Sequence, residues 1–342
     1  MILKPKNQKA APKRAKQNQG GILVLYLILA LSVVGYAMTG SILIGAAAFV
    51  ILVVTLASEF KFSVKEEGMR KSVYDIITAI VAVVVIWIIL IILLGTSSPV
   101  NVVASCSMLP TLHRGDMVIL RGIQNMTSFL ESHQIPIVNV SPQEMNYTLS
   151  HMNSESLAFF AYNPSNSSKI GEIVNVPDPR VQLYNTKCID TYTVSGQPQY
   201  ISRCAVRSQA GNLIKYNYSI ERVDVAGAIQ YIPQTNRITI GNTTINENYS
   251  NPIVVYQTTA NDSFSGDIVH RVFSAIRAGN DYYILTKGDN NGGLDIQFLN
   301  YPAKSSAVLG YVIADIPVVG YLRLIISGQL STPAGCNSTI IR

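Results

Sequence analysis

Three stretches near the N-terminus, 22–38, 42–57 and 76–94, carry no charged residue and are apolar at almost every position. A helix rises about 1.5 Å per residue, so each is long enough, or nearly so, to cross a hydrocarbon layer roughly 30 Å thick. The pattern predicts three transmembrane helices within 22–95, the first two joined through Thr39, Gly40 and Ser41 as a tight hairpin. A secretory leader is the alternative for the first, because Gly35-Tyr36-Ala37 has the small-x-small spacing of a cleavage site. Beyond residue 95 the period changes. Short β-branched runs broken by Gly, Asn, Asp and Pro fill 96–120 and 253–330, as in "IVVYQTT" and "DYYILTKGD", which is the pattern of a mostly antiparallel sheet or barrel. Between them, 121–252 is rich in Tyr, Asn, Ser, Gln and Thr and reads as a large polar, β-rich insertion or second lobe, while 331–342 reads as a polar tail. The apolar stretch 310–328 is interrupted by Asp315, Pro317 and Arg323. A charge at mid-membrane costs about 2.5–3.5 kcal/mol, so a pair of core strands is expected there and not a fourth span. The predicted fold is therefore mainly β, preceded by three membrane helices.

Charge adds an orientation. Lys and Arg outnumber Asp and Glu by 10 to 4 up to residue 75 and balance at 16 to 16 after it, so the whole net charge of +6 lies in the first 75 residues. A neutral outer part argues against a nucleic-acid partner, which would meet a basic face. The basic residues cluster in the tail 1–21 and again at Lys61, Lys65, Arg70 and Arg70's neighbour Lys71. Positive flanks stay cytoplasmic, so the third helix runs outward and residues beyond 95 lie outside the cell or in an equivalent lumen. The expectation is a multi-pass cell-membrane protein in contact with lipid. Nine N-x-S/T sequons, all after residue 100, agree with that side. Of the four cysteines, Cys188 and Cys204 close a short loop and are the expected disulfide. Neither Cys nor His spacing suggests a zinc site, and no cofactor is expected.

Candidate chemistry begins at "SCSMLPTLHRGDMVIL", 105–120. A serine hydroxyl is a weak nucleophile until a base takes its proton and a third group orients that base. Ser107 precedes Met108-Leu109-Pro110-Thr111, a turn able to present it, and Ser105 with nearby backbone N–H groups could stabilise an oxyanion. Ser105 and Met108 are the expected oxyanion or substrate-binding residues. The bases on offer are His113, His133, His151 and His270, the last in an alternating strand pattern. Asp289 and Asp295, in a Gly/Asn-rich loop, are candidate acids, although their spacing also suits a calcium turn or a solvated loop.

Read together, "SCSMLPT" with "RGDMVIL", "GDIVHRV" at 266–272, "LTKGDNNGGLD" at 285–295 and "GYVIADIPVVGYL" at 310–322 resemble the type I signal peptidases, membrane-bound serine proteases that remove secretory signal peptides. A His where bacterial members carry a Lys resembles the archaeal and endoplasmic-reticulum branch. The resemblance implies a signal-peptidase-type β domain at 96–120 and 253–330, with Ser107 as nucleophile and His270 as general base. It further implies Asp295 as the orienting acid and Asp289 in support. Lys287 is the alternative base, since a desolvated Lys can serve a Ser/Lys dyad, although it lies in the loop motif and not at the strand position of the family's base. Secretory preproteins, cut after small residues at the outer membrane face, would be the substrates, and the protein translocation channel a further partner. Two departures stand out: 163 positions separate Ser107 from His270, and "GEIVNV" at 171–176 competes with "GDIVHRV" for one family box. A binding or assembly protein built on the peptidase fold, or a processing protease with few substrates, are the alternative functions.

Overall fold

The computed structural model describes residues 15–39, 41–152, 157–162, 169–172, 192–194, 197–199, 202–207, 209–262, 264–333 and 335–341. They fall into two compact units. One holds the helices up to Ile89 together with Tyr321–Thr332, and the other holds Leu90–Gly320 and the residues after Pro333.

In the helical unit, α1 (Ala15–Thr39), α2 (Ile42–Glu67) and α3 (Met69–Leu94) follow one another with almost no loop. The charged stretch after residue 57 does not form a loop, because Lys and Glu are good helix formers. Only Gly68, at φ 86°, breaks the path, and its N–H still bonds the carbonyl of Val64. Among the described residues two helices are long and apolar enough to cross a membrane, Leu43–Lys65 and Met69–Leu94, and Leu23–Tyr36 forms a shorter apolar stretch. The first expected span, 22–38, falls within the 25 residues of α1.

The second unit begins with β1 (Val100–Val102), β2 (Met117–Arg121), α4 (Met126–Ser132), β3 (Ile137–Val140) and α5 (Pro142–Ser150). Asn125 caps α4 by accepting the N–H of Ser128, and a Ser141/Glu144 capping box starts α5. Short strands follow: β4 (Leu157–Tyr162), β5 (Lys169–Glu172), β6 (Tyr192–Val194), β7 (Gln197–Gln199), β8 (Ser202–Arg207) and β9 (Gln209–Ala210). Longer ones come next, β10 (Ile214–Val225), β11 (Ala228–Ile240), β12 (Thr243–Asn246), β13 (Ile253–Gln257), β14 (Asp267–Ala278) and β15 (Asp281–Lys287). The chain closes with β16 (Ala303–Lys304), β17 (Val308–Ile316), α6 (Tyr321–Ile326) and β18 (Ser338–Ile341).

An eight-stranded sheet, in the order β1-β2-β17-β13-β14-β15-β16 with β3 beside β14, is the frame of this unit. All its pairings are antiparallel except β3 with β14. The mainly antiparallel β fold read from the alternation is present, and β3, from within the presumed insertion, belongs to it. A second sheet, β12-β11-β10-β18 with β9, packs Ile214, Ile238 and Ile240 with Phe273, Ile276, Leu285 and Ile296 in one core. With that cover on one face and the cluster of Phe129, Leu130, Tyr256 and Ile284 on the other, β14 is buried along nearly its whole length. The residues taken for a polar tail supply β18, paired with β10. The stretch 310–328, expected as two strands, is one strand and one helix. Pro317 lacks the N–H a ladder needs, so β17 stops at Ile316 and α6 joins the helical unit.

Candidate active site

Ser107 lies in the turn after β1, half-buried above a core of Val103, Met108, Leu112, Val118, Leu120, Ile253 and Val255. His270 is on β14, opposite Val254 of β13, and is 7% exposed. Asp295 opens a short 3₁₀ turn, Asp295–Phe298, after the Gly/Asn loop and is 2% exposed. Folding brings the three into line. His270 Nε2 is 2.9 Å from Ser107 Oγ, and His270 Nδ1 is 2.7 Å from both carboxylate oxygens of Asp295. A carboxylate can only accept, so Nδ1 carries the proton and Nε2 is left with a lone pair facing the serine hydroxyl. This is the arrangement in which an imidazole can take a hydroxyl proton while a buried anion stabilises the resulting cation.

The other sequence candidates fall elsewhere. His113 is largely exposed, 3.8 Å from Asp116. His133 and His151 close helix ends, each Nδ1 sitting 2.9 Å from a backbone carbonyl of the preceding turn. Lys287, the alternative base, reaches Glu247 Oε1 at 2.6 Å, both side chains being buried. "GDIVHRV" runs onto β14, whereas of "GEIVNV" only Gly171 and Glu172 are described, on β5.

Asp289 takes a different position from Asp295. Arg271 grips it with two bonds, Nε to Oδ1 at 2.8 Å and a terminal nitrogen to Oδ2 at 2.7 Å, and Thr111 Oγ1 also donates to Oδ2. Arg271 further donates to the carbonyl of Asn251. Asp289 therefore ties the Gly/Asn loop to β14 and to the serine turn. Removing one member of such a buried pair strands the other charge, at about 3–5 kcal/mol. Ser105 Oγ stands 3.1 Å from Ser107 Oγ on the exposed side, where a donor to an oxyanion could act. The side chain of Met108 is fully buried in the core under the turn. Of the two residues expected at the oxyanion or substrate-binding position, Ser105 is thus exposed beside the serine, and Met108 has its side chain turned into the core.

Three features of the site have no counterpart among the sequence candidates. Gly288 approaches so closely that a Cβ there would lie 2.7 Å from the carbonyl oxygen of Ser107 and 2.8 Å from His270 Nε2. Asn290 clamps the serine turn: its N–H donates to the Ser107 carbonyl at 2.7 Å, and its amide donates to the Cys106 and Ser338 carbonyls. Cys106, next to the serine, is disulfide-bonded to Cys336, 230 positions away. The expected Cys188–Cys204 pair cannot be placed, since Cys188 lies outside the described residues. Asn290 and Gly288 were legible only as part of the "KGDNN" box, whose backbone role needs the folded loop to be seen. Among the described residues no cluster of His, Cys, Asp and Glu could hold a metal ion.

Two curated proteins are similar to part of this chain. The signal peptidase complex catalytic subunit SEC11 of Colletotrichum graminicola is 39% identical over 64 residues, and that of Yarrowia lipolytica is 36% identical over 64 residues. Each match takes in 18% of this chain and 37% of the relative, so the chain spans little more than a third of the relatives it matches. No family model matches the chain, and no solved structure matches it. The resemblance to signal peptidases of the endoplasmic-reticulum and archaeal type, read from four short motifs, is thus found again in the similarity to two catalytic subunits.

Proposed function

We propose that this relative of the signal peptidase catalytic subunits is itself a membrane-bound serine endopeptidase that removes N-terminal signal peptides from secretory preproteins. The observation that carries the reading is the aligned set of Ser107 Oγ, His270 and Asp295, at 2.9 Å and 2.7 Å. His270 Nε2 takes the proton as Ser107 Oγ attacks the scissile carbonyl, and Asp295 stabilises the imidazolium. The same imidazolium then protonates the leaving amine, giving an acyl-enzyme on Ser107 that water, activated by His270, hydrolyses. Ser105 and backbone N–H groups of the turn are the donors nearest the developing oxyanion.

Substrate geometry follows from the sheet. β1 is the terminal strand of its sheet and leads into Ser107 within five residues, so a preprotein segment is suited to bind as an added strand along that edge. Thirteen positions separate the end of α3 from Ser107. With the basic flanks cytoplasmic, this short covalent tether holds the serine within reach of the outer membrane face, where a signal peptide emerges from the translocation channel.

The test is cleavage of a secretory preprotein in detergent by the full-length chain. Ser107→Ala, His270→Ala and His270→Lys should each lose at least about a thousandfold in rate, whereas Lys287→Ala should still cut after a small residue. Persistent cleavage by His270→Ala would overturn the Ser–His mechanism, and none by the wild type would end the peptidase reading in favour of a binding protein on a peptidase fold.

A further inference from the structure

The Ser–His–Asp reading leaves one part of the site unexplained, and the inference drawn here rests on that reading. β14, which carries His270, lies between β13 and β15. Tyr256 of β13 pairs with Ile268, two residues before the histidine, and Thr286 of β15 pairs with Val272, two residues after it. Side chains two apart on a strand share a face. Tyr256, His270 and Thr286 therefore converge on one side of three adjacent strands, and Asp295 sits where they meet. The Tyr256 hydroxyl donates to Asp295 Oδ2 at 2.8 Å and the Thr286 hydroxyl donates to the same oxygen at 2.6 Å.

We propose that Tyr256 and Thr286 are positioning residues for the cleavage reaction: two hydroxyl donors, one from each strand beside His270, that hold the Asp295 carboxylate aimed at Nδ1. A carboxylate 2% exposed has lost its water, and a buried charge carries a desolvation penalty unless protein donors replace that water. Donors directed at the charged form oppose that penalty and restrict how the carboxylate can turn. Tyr256 is suited to the task because burial, and then the neighbouring Asp295 charge, hold its phenol well above the usual tyrosine range, so it remains a donor. Asp262 adds to this at longer range. The other charged groups of these strands and the adjoining loop have partners of their own: Lys287 with Glu247, Arg271 with Asp289, Asp281 with Lys304, Asp267 with the Asn101 amide and Arg277 with the Gly279 carbonyl.

The alternative is that Asp295 merely satisfies two buried hydroxyls. To separate the two, kcat and KM on a secretory preprotein are measured for wild type, Tyr256→Phe, Thr286→Val and Thr286→Ser, alongside thermal midpoints. Positioning predicts that Tyr256→Phe and Thr286→Val each lower kcat roughly tenfold, with KM within about threefold of wild type. Thr286→Ser, which restores the hydroxyl, should recover most of the rate lost in Thr286→Val. An unchanged kcat in Tyr256→Phe overturns the proposal, as does a loss that tracks the thermal midpoint and is not recovered by serine. Inactive wild type, or an active Ser107→Ala, instead removes the peptidase reading, and this inference with it.

Discussion

Gly288 shows how little tolerance the site has around the nucleophile. A methyl group there would be forced against the Ser107 carbonyl and His270 Nε2, and neither the backbone oxygen nor a histidine bonded at both nitrogens can give way cheaply. Displacements of about 1 Å in a reacting pair can cost on the order of a hundredfold in rate. Gly288→Ala is therefore expected to fold and to lose roughly that factor in kcat/KM, checked on a preprotein alongside a melting curve. Tyr256 makes a separate prediction for alkaline conditions. Its folded pKa lies above the unfolded value, so the native state holds the proton longer and the associated stability is complete below about pH 10 and lost as pH rises further. Unfolding midpoints measured from pH 9 to 11 should fall more steeply for wild type than for Tyr256→Phe, by up to about 1.4 kcal/mol per pH unit.

The turn that presents Ser107 is held from three directions. β1 leads into it, the Gly/Asn loop fastens it through Asn290, and the C-terminal strand is tied to it by the Cys106–Cys336 bond and by the bonds of Asn290 to Ser338 and Ile340. β18 thus works as a strap on the nucleophile and not as a tail. Removing the disulfide with Cys106→Ala or Cys336→Ala should cost about 2–5 kcal/mol. Asn290→Ala should lower activity further by loosening both segments at once. Denaturant unfolding with and without reductant, paired with cleavage rates, would check this, and a Cys336→Ala protein as stable and active as wild type would refute it. Four cysteines in sequence favour the pair that closes the shortest loop, and the distant partner of Cys106 became visible only when β18 paired with β10.

The orientation of the chain is testable through the β11–β12 turn, where Asn242 is exposed. In intact cells an Asn242→Cys protein should react with a membrane-impermeant thiol reagent without permeabilisation, if the proposed orientation, with the basic flanks inside, holds. Labelling only after lysis would reverse the topology and displace the proposed substrates. Consecutive residues were enough to mark the apolar helices, the antiparallel β pattern and the short motifs carrying Ser107, His270 and Asp295, because hydropathy, strand alternation and turn chemistry are local properties. They did not show that α2 and α3 are parted by Gly68 alone, that β3 and β18 belong to sheets, or that Met108 points into a core. Nor could they choose between Asp289 and Asp295. A strand shifted by one residue turns every side chain to the opposite face. Whether Asp295 meets Nδ1, and whether Tyr256 and Thr286 meet Asp295, therefore depends on the register of β13, β14 and β15, which is set by packing between residues far apart in the chain.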